Sequence, residues 1–356
     1  MKALVLSGGK GSRLRPITYS YAKQLIPIVN KPILFYVLED LASAGISDVG
    51  MIVGATKDLI KAAVGNGENW GIKVTYIEQK SPLGLGHAVK IAQPFIGNQP
   101  FVMYLGDNIL RGGIKSFISE YGNKGEDINI LLTEVKHPEC FGVAELDQRG
   151  RVKKLVEKPQ HFISNHVLVG VYIFNQKIFP AVDAIKPSGR GELEITDAIQ
   201  YVIDHGGKVE PFLIKGWWKD TGKTEDVLEA NSLLIEGIEP RISGAIDQLS
   251  KLSGRINIGE NTLISNSVIE GPVIIGGNCL IENGLIGPFT SIGDNVQITN
   301  SKIEKSIIME ETVIINYQNK IVNSLIGRGV KLKSRQEKPA VHQLLLGDHC
   351  SLGIYE

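Results

Sequence analysis

Two cations, Arg13 and Lys23, follow a turn rich in glycine (Gly8, Gly9, Gly11), which itself follows a short apolar run from Lys2 to Ser7. Glycine lets the backbone turn tightly with its N–H groups exposed, so such a loop can cradle an anion, and an Arg and a Lys beside it suit phosphate. The spacing is neither G-x-G-x-x-G nor a loop closing in Gly-Lys-Ser/Thr, which leaves a third type of phosphate loop. Taken alone, a glycine turn after a strand need only let the chain leave the sheet. Two carboxylates sharpen the chemistry. Asp107 ends the apolar run FVMYLGD and Asp220 sits in GWWKDTG, where an ionised carboxylate is costly unless solvated, paired or metal-bound. Beside phosphate they suggest Mg²⁺, which takes one or two carboxylates plus phosphate oxygens and water; the plain alternative is a carboxylate capping the next turn. Glu157-Lys158 before Pro159 reads as a surface ion pair, and RGELEITDAI, residues 190–199, as a helix start with acids near its positive end.

No nucleophile–base pair stands out. The 7 histidines lack metal-ligand spacing, and most are expected on the surface or in loops. If the nucleophile is already an anionic phosphate, no general base is needed, and catalysis reduces to alignment and charge neutralisation.

The elements that must position these groups follow a regular order. From Lys2 to about Val135, strand-like runs (LVLS, DVGMIVG, KVTYIEQ, FVMYLGDN, NILLTEV) alternate with helical ones, beginning at Pro32, at Thr56 and at GHAVKIAQPFIG. Alternation implies parallel strands joined by right-handed crossovers, with ligands at the carboxyl ends of the strands. The glycine loop, Gln79, and Asp107 with Asn108 all fall at such ends. From Phe141 to Phe174 the rhythm shortens, and these strands are expected to form an insertion over the sheet, the second wall of a cleft. Residues 223–236 read as a closing helix.

After Pro240 an Ile, Val or Leu recurs about every sixth residue, among them Ile258, Ile264, Ile275, Ile281, Ile286, Ile292, Ile298, Ile303, Ile308, Ile314, Ile326 and Leu332. A hexapeptide period with one-residue slips is the mark of a parallel β-helix, where a sandwich would alternate with period two. SRQEKPAVHQ breaks the repeat as a loop, and LLLGDHCSLG resumes it as a partial coil. The division expected is residues 1–239, an α/β domain with a Rossmann-like mixed sheet, and residues 240–356, the β-helix.

Composition bounds the rest. A chain of 356 residues with 43% hydrophobic content can build two cores, and 38 basic residues against 38 acidic ones give no broad field for nucleic acid or an anionic membrane. Cys140, Cys279 and Cys350, few and widely spaced, read as small core residues of a protein in a reducing compartment. No run approaches a membrane span, so a cytoplasmic location is expected.

The order GGKGSRLRPIT, KQLIP, EQ..PLGLGHA, LGDN, FGV, EKP, RGELEITD and WWKDTG resembles the sugar-nucleotide pyrophosphorylases. Along most of residues 1–236 it is similar to the glucose-1-phosphate thymidylyltransferase family, and the tail is similar to that family's long form, with a left-handed β-helix. PLGLGHA is also similar to bacterial UDP-glucose pyrophosphorylases. Ser7 stands where that family usually has Ala, and Ser12 where Thr is common. The resemblance implies transfer of a thymidylyl group from dTTP to α-D-glucose 1-phosphate with Mg²⁺, by an enzyme that assembles as a homo-oligomer through the β-helix. It implies that Gly8, Gly9, Gly11, Ser12 and Arg13 hold the triphosphate and Lys23 the phosphates of both substrates. Gln79 and Gly84 would meet the base, and Asp107 and Asp220 the metal. Gly142, Glu157, Lys158, Gly170, Arg190 and Trp218 would bind the sugar phosphate, with Arg13, Lys23, Asp107 and Lys158 carrying catalysis. The rivals are the same chemistry with UTP, a bifunctional acyltransferase, which would need a longer helix with a catalytic His, and a non-catalytic paralogue that senses sugar nucleotide, which should have lost the cations or carboxylates.

Overall fold

The computed structural model describes residues 1–122 and 125–334. Cys350, the partial coil expected over LLLGDHCSLG and nearly all of SRQEKPAVHQ lie outside the described residues. Two compact units emerge, and they are not two simple halves of the chain. One gathers Met1–Lys10, Tyr21–Leu25 and Ile33–Asp220; the other gathers Gly11–Ser20, Ile26–Pro32 and the chain from Thr221 onward. The repeat begins near residue 240, whereas compactness divides the chain after Asp220.

The first unit is built on a nine-stranded mixed sheet. Its parallel half runs in the order Phe101–Leu105, Lys2–Ser7, Asp48–Val53, Lys73–Glu78. Alternate side chains of each strand take opposite faces. Leu4 and Leu6 enter a core closed by the helices Leu85–Ile96, Ile178–Ala184 and Ile195–Asp204. Ala3 and Val5 enter a second core with Leu34, Val37 and Leu38 of the helix Ile33–Ser43, Ile60 of Lys57–Val64 and Phe117 of Lys115–Glu120. With both faces covered, these strands read as apolar runs rather than alternating ones.

The strands between Phe141 and Phe174 correct the expected insertion. They do not lie over the sheet; they extend it. His166–Phe174 pairs antiparallel with Phe101–Leu105, and Gly142–Leu146 and Val152–Glu157 continue outward from it. The reason lies in VLVGVYIF, where Val167 to Phe174 are all buried, the burial of an interior strand. That strand also carries Ile128–Glu134 and, beyond it, Val209–Leu213, with a register shift between Leu168 and Tyr172. Gly170 sits in this shift at φ 82°, a left-handed conformation that glycine adopts without penalty.

The second unit contains three parallel stacks of six, six and five short strands, the arrangement of a left-handed β-helix. Ile258, Ile264, Ile275, Ile281, Ile286, Ile292, Ile298, Ile303, Ile308 and Ile314 all point inward as the period predicts, while Ile326 and Leu332 are only partly buried. The coils close with asparagines at left-handed corners, Asn261, Asn266, Asn278, Asn283, Asn295, Asn300 and Asn316, with φ between 43° and 59°. Asn tolerates that region, and stacked amides bond from coil to coil, Asn266 to Asn283 at 2.6 Å and Asn300 to Asn316 at 2.6 Å. The first pair is 17 residues apart and the second 16, so the slips are real. Asn231 of the helix Thr224–Ile235 is buried against the outer face of one stack. It accepts from Val29 N–H (2.9 Å) and Ser291 Oγ–H (2.7 Å) and donates to Phe289 O (3.2 Å).

Cys279 is buried in this core, but Cys140 is exposed, against the expectation for it; it ends a short surface turn, Pro138–Cys140. Among the described residues no helix is long and apolar enough to cross a membrane.

Candidate active site

The carboxyl ends of the parallel strands carry the chemistry. Ser7 leads into Gly8 and Gly9, Glu78 into Gln79, and Leu105 towards Asp107; Gly8, Gly9, Gln79, Leu105 and Asp107 line one cleft of about 220 Å³ with Gln24, Gly84 and Glu192. The close approach of backbones requires glycine here. A Cβ on Gly84, at φ 96°, would lie 2.6 Å from Leu193 O.

Asp220 reaches the same end by a different route. Trp218–Asp220 pairs antiparallel with Asn108–Leu110, which sets Asp220 opposite Asn108. Asn108 Nδ2 donates to Asp107 Oδ1 at 2.9 Å, and Asn108 Oδ1 accepts from Trp218 Nε1 at 2.6 Å. Trp218 also stands edge-on to Phe141, with ring centroids 5.2 Å apart. A Cβ on Gly170 would come within 3.0 Å of Asn108 Oδ1, so the glycine of the register shift makes room for the amide. Gly170 and Trp218 therefore support the carboxylate pair.

Lys23, only 7% exposed in the short turn Lys23–Leu25, forms an ion pair with Asp107 and lies 3.8 Å from Asp220 Oδ1. Burial alone would raise the Asp107 carboxyl, but the Lys23 ammonium and the Lys23 and Asn108 donors hold it below the ordinary carboxylate range. Both carboxylates reach one ammonium, so both are within reach of one cation. An oxygen-only pair fits Mg²⁺, whose shell is completed by phosphate oxygens and water. No group of three or more His, Cys, Asp or Glu able to hold a metal occurs among the described residues, so an ion here would share its coordination with substrate.

A second cluster joins Gly142, Glu157, Lys158 and Arg190. A Cβ on Gly142 would lie 3.2 Å from Glu157 Oε2 and 2.8 Å from Leu168 and Thr196. The Arg190 guanidinium is committed to acids, bonding both oxygens of Glu194 at 2.8 Å and Glu157 Oε1 at 3.1 Å, with Glu192 3.6 Å away. Burial, then the neighbouring Glu194, push the Glu157 carboxyl up, and Lys158 and Arg190 offset only part of this. Lys158 Nζ is 3.7 Å from Glu157, and its backbone takes φ 43°, a strained conformation for a lysine.

Gly11, Ser12 and Arg13 belong to the second unit. Gly11 turns at φ 62° into the short helix Ser12–Leu14, and the exposed Arg13 guanidinium lies over Gly222, where a Cβ would meet its Nη2 at 2.7 Å.

Sequence reading missed Gln24, Glu192, Glu194, Asn108's double role, and His87. Gln24 is 2% exposed, yet among the described residues its Oε1 has no hydrogen-bond partner. Its position next to Lys23 was the available signal. His87, expected on the surface or in a loop, stands in the first turn of the helix Leu85–Ile96 and bonds Gln79.

A strand-end cleft, a carboxylate pair and a buried lysine thus meet at one end of the sheet, and residues 2–237 match the nucleotidyl transferase family model. The chain belongs to that family and is a nucleotidyltransferase. It is 50% identical over 355 residues to the glucose-1-phosphate thymidylyltransferase of Streptomyces antibioticus, covering 99% of each chain. It is 48% identical to that of Streptomyces griseus, covering 98% of each. A solved UDP-glucose pyrophosphorylase with UDP-glucose bound superposes with a TM-score of 0.60 at 27% identity, over 67% of this chain and 99% of that one.

Proposed function

We propose that the protein transfers a thymidylyl group from dTTP to α-D-glucose 1-phosphate, giving dTDP-glucose and pyrophosphate. The observation that carries this is the convergence of Lys23, Asp107 and Asp220 at the strand ends whose cleft also holds Gly8, Gly9, Gln79 and Gly84. The names of the full-length relatives support the choice of substrates.

In this reading a phosphate oxygen of the sugar attacks the α-phosphorus in line, and pyrophosphate leaves. Two polyanions must approach each other, so the chain's main task is to offset their repulsion and hold them aligned. Lys23 supplies a buried ammonium between the reacting phosphates, and Lys158 a second cation on the sugar-phosphate side. Glu157, oriented by Arg190, accepts from sugar hydroxyls. Gly8, Gly9, Gly11, Ser12 and Arg13 receive the leaving pyrophosphate, and Gln79 and Gly84 the base. Asp107 and Asp220 hold Mg²⁺, which when bound neutralises phosphate charge. The β-helix serves assembly into a homo-oligomer, and the enzyme works in the cytoplasm.

Pyrophosphate release measured across nucleotide and sugar-phosphate pairs tests the reading. dTTP with glucose 1-phosphate should be the best pair. A clear preference for UTP would move the protein to the uridylyl branch, which the fold shared with a UDP-glucose pyrophosphorylase favours as the second reading. Silence with every pair would overturn the reading.

A further inference from the structure

Gln79 is held at the end of its strand by its own N–H, which donates to Val53 O at 2.9 Å. Its side-chain Nε2 lies 3.1 Å from Gly84 O and 3.0 Å from His87 Nδ1. A backbone carbonyl only accepts, so the atom facing Gly84 must be the amide nitrogen. The opposite orientation would set two acceptors against each other. With one amide hydrogen on Gly84, the second is directed at His87 Nδ1, which must therefore be a bare acceptor with its proton on Nε2. Both hydrogens are then used within the protein, and only Oε1 is left for a ligand. That oxygen faces the glycine loop, since a Cβ on Gly8 would stand 3.4 Å from it, and Gly8, Gln79 and Gly84 line the same cleft.

We propose that His87 is a specificity-positioning residue. By accepting the second hydrogen of the Gln79 amide, it commits Oε1 to the nucleobase, so that the site selects bases with a ring N3–H, thymine and uracil, over cytosine, whose N3 is an acceptor. This rests on the reading that the cleft holds a pyrimidine nucleotide, and it is indifferent to whether dTTP or UTP is the better substrate. Burial, then the nearby Lys90, push the His87 imidazole below its ordinary range, which keeps it neutral and able to accept.

The test compares kcat/KM of the full-length protein for dTTP, dUTP and dCTP, with glucose 1-phosphate and Mg²⁺. The wild type should favour dTTP and dUTP over dCTP. His87→Leu, which keeps bulk without an acceptor, should lower the dUTP-to-dCTP ratio about five- to tenfold, the worth of one hydrogen bond, mainly through KM. His87→Asn, whose Oδ1 can accept where Nδ1 did, should restore the ratio. An unchanged ratio in His87→Leu, even with all three activities equally reduced, would overturn the role of His87 and leave the base site standing. A wild type that prefers dCTP or a purine would instead overturn the reading of the base site. Should His87→Leu not fold, the ¹⁵N shifts of His87 in the wild type decide, because a proton on Nδ1 at neutral pH is incompatible with the proposal.

Discussion

Trp218 Nε1 donates to Asn108 Oδ1 at 2.6 Å across a two-stranded ribbon, and this bond decides which way the Asn108 amide faces. With Oδ1 committed to the indole, Nδ2 is turned to Asp107, and the register of the same ribbon sets Asp220 opposite Asn108. A residue expected to lie against the sugar thus orders the carboxylates. Trp218→Phe should keep the aromatic contact with Phe141 while releasing Asn108. We expect near-wild-type folding by circular dichroism, a higher Mg²⁺ requirement, and a kcat lower by about tenfold, about what losing the Asn108 Nδ2 bond to the Asp107 carboxylate would cost. A wild-type Mg²⁺ titration would show that the indole N–H does not act through Asn108.

Lys23 lies between Asp107 and Asp220, so its removal combines two effects. Lys23→Ala should abolish turnover and also destabilise the fold by about 3 kcal/mol, because it takes the ammonium away from partly buried carboxylates. Adding Asp107→Asn should recover part of that stability and none of the activity. Lys23→Arg should not rescue turnover, since a planar fork poorly copies a compact ammonium. Denaturant melts with pyrophosphate-release assays separate the two effects, and recovery of activity in the double variant would exclude the role given to Lys23.

Asp127 predicts acid sensitivity away from the site. Burial would raise its carboxyl, but Lys177 at 2.8 Å, Lys208 N–H at 2.9 Å and Asn175 at 2.8 Å hold it below the ordinary range. A carboxyl depressed in the folded state stabilises fully above its unfolded pKa, and that contribution is lost as pH falls through the folded value. Stability should therefore decline below about pH 4, and Asp127→Asn should lower stability at pH 7 while flattening that decline. Urea midpoints measured from pH 7 to pH 3 would show it.

Ser7, in a position where the resembled family usually has Ala, is fully buried, and among the described residues its hydroxyl has no hydrogen-bond partner. A buried hydroxyl left without a hydrogen bond costs about 1–3 kcal/mol. Ser7→Ala should raise the unfolding free energy by about 1 kcal/mol, read as a higher urea midpoint, with unchanged kcat. A clear loss of stability would mean that the hydroxyl bonds a water.

The β-helix was legible in the sequence because its order is local. Each inward isoleucine is placed by its own coil, so the hexapeptide period names the core directly, from Ile258 to Ile314. The strand ends were legible for a similar reason, since an apolar run that stops in Gly8, Gln79 or Asp107 marks its own carboxyl end. What meets across the sheet was not. Lys23 and Asp107 are 84 residues apart, and Asn108 and Trp218 are 110 apart. Periodicity shows which face is buried but not which distant side chains share it. The strand His166–Phe174 shows the same limit, because its apolar run fits a covering layer or a sheet interior equally well, and only its pairing with Phe101–Leu105 chose the interior. The direction of an amide was beyond the sequence altogether. Gln79 can donate or accept as a free residue, and it presents an acceptor here because Gly84 O and His87 Nδ1, brought up by the turn into the next helix, take both of its hydrogens.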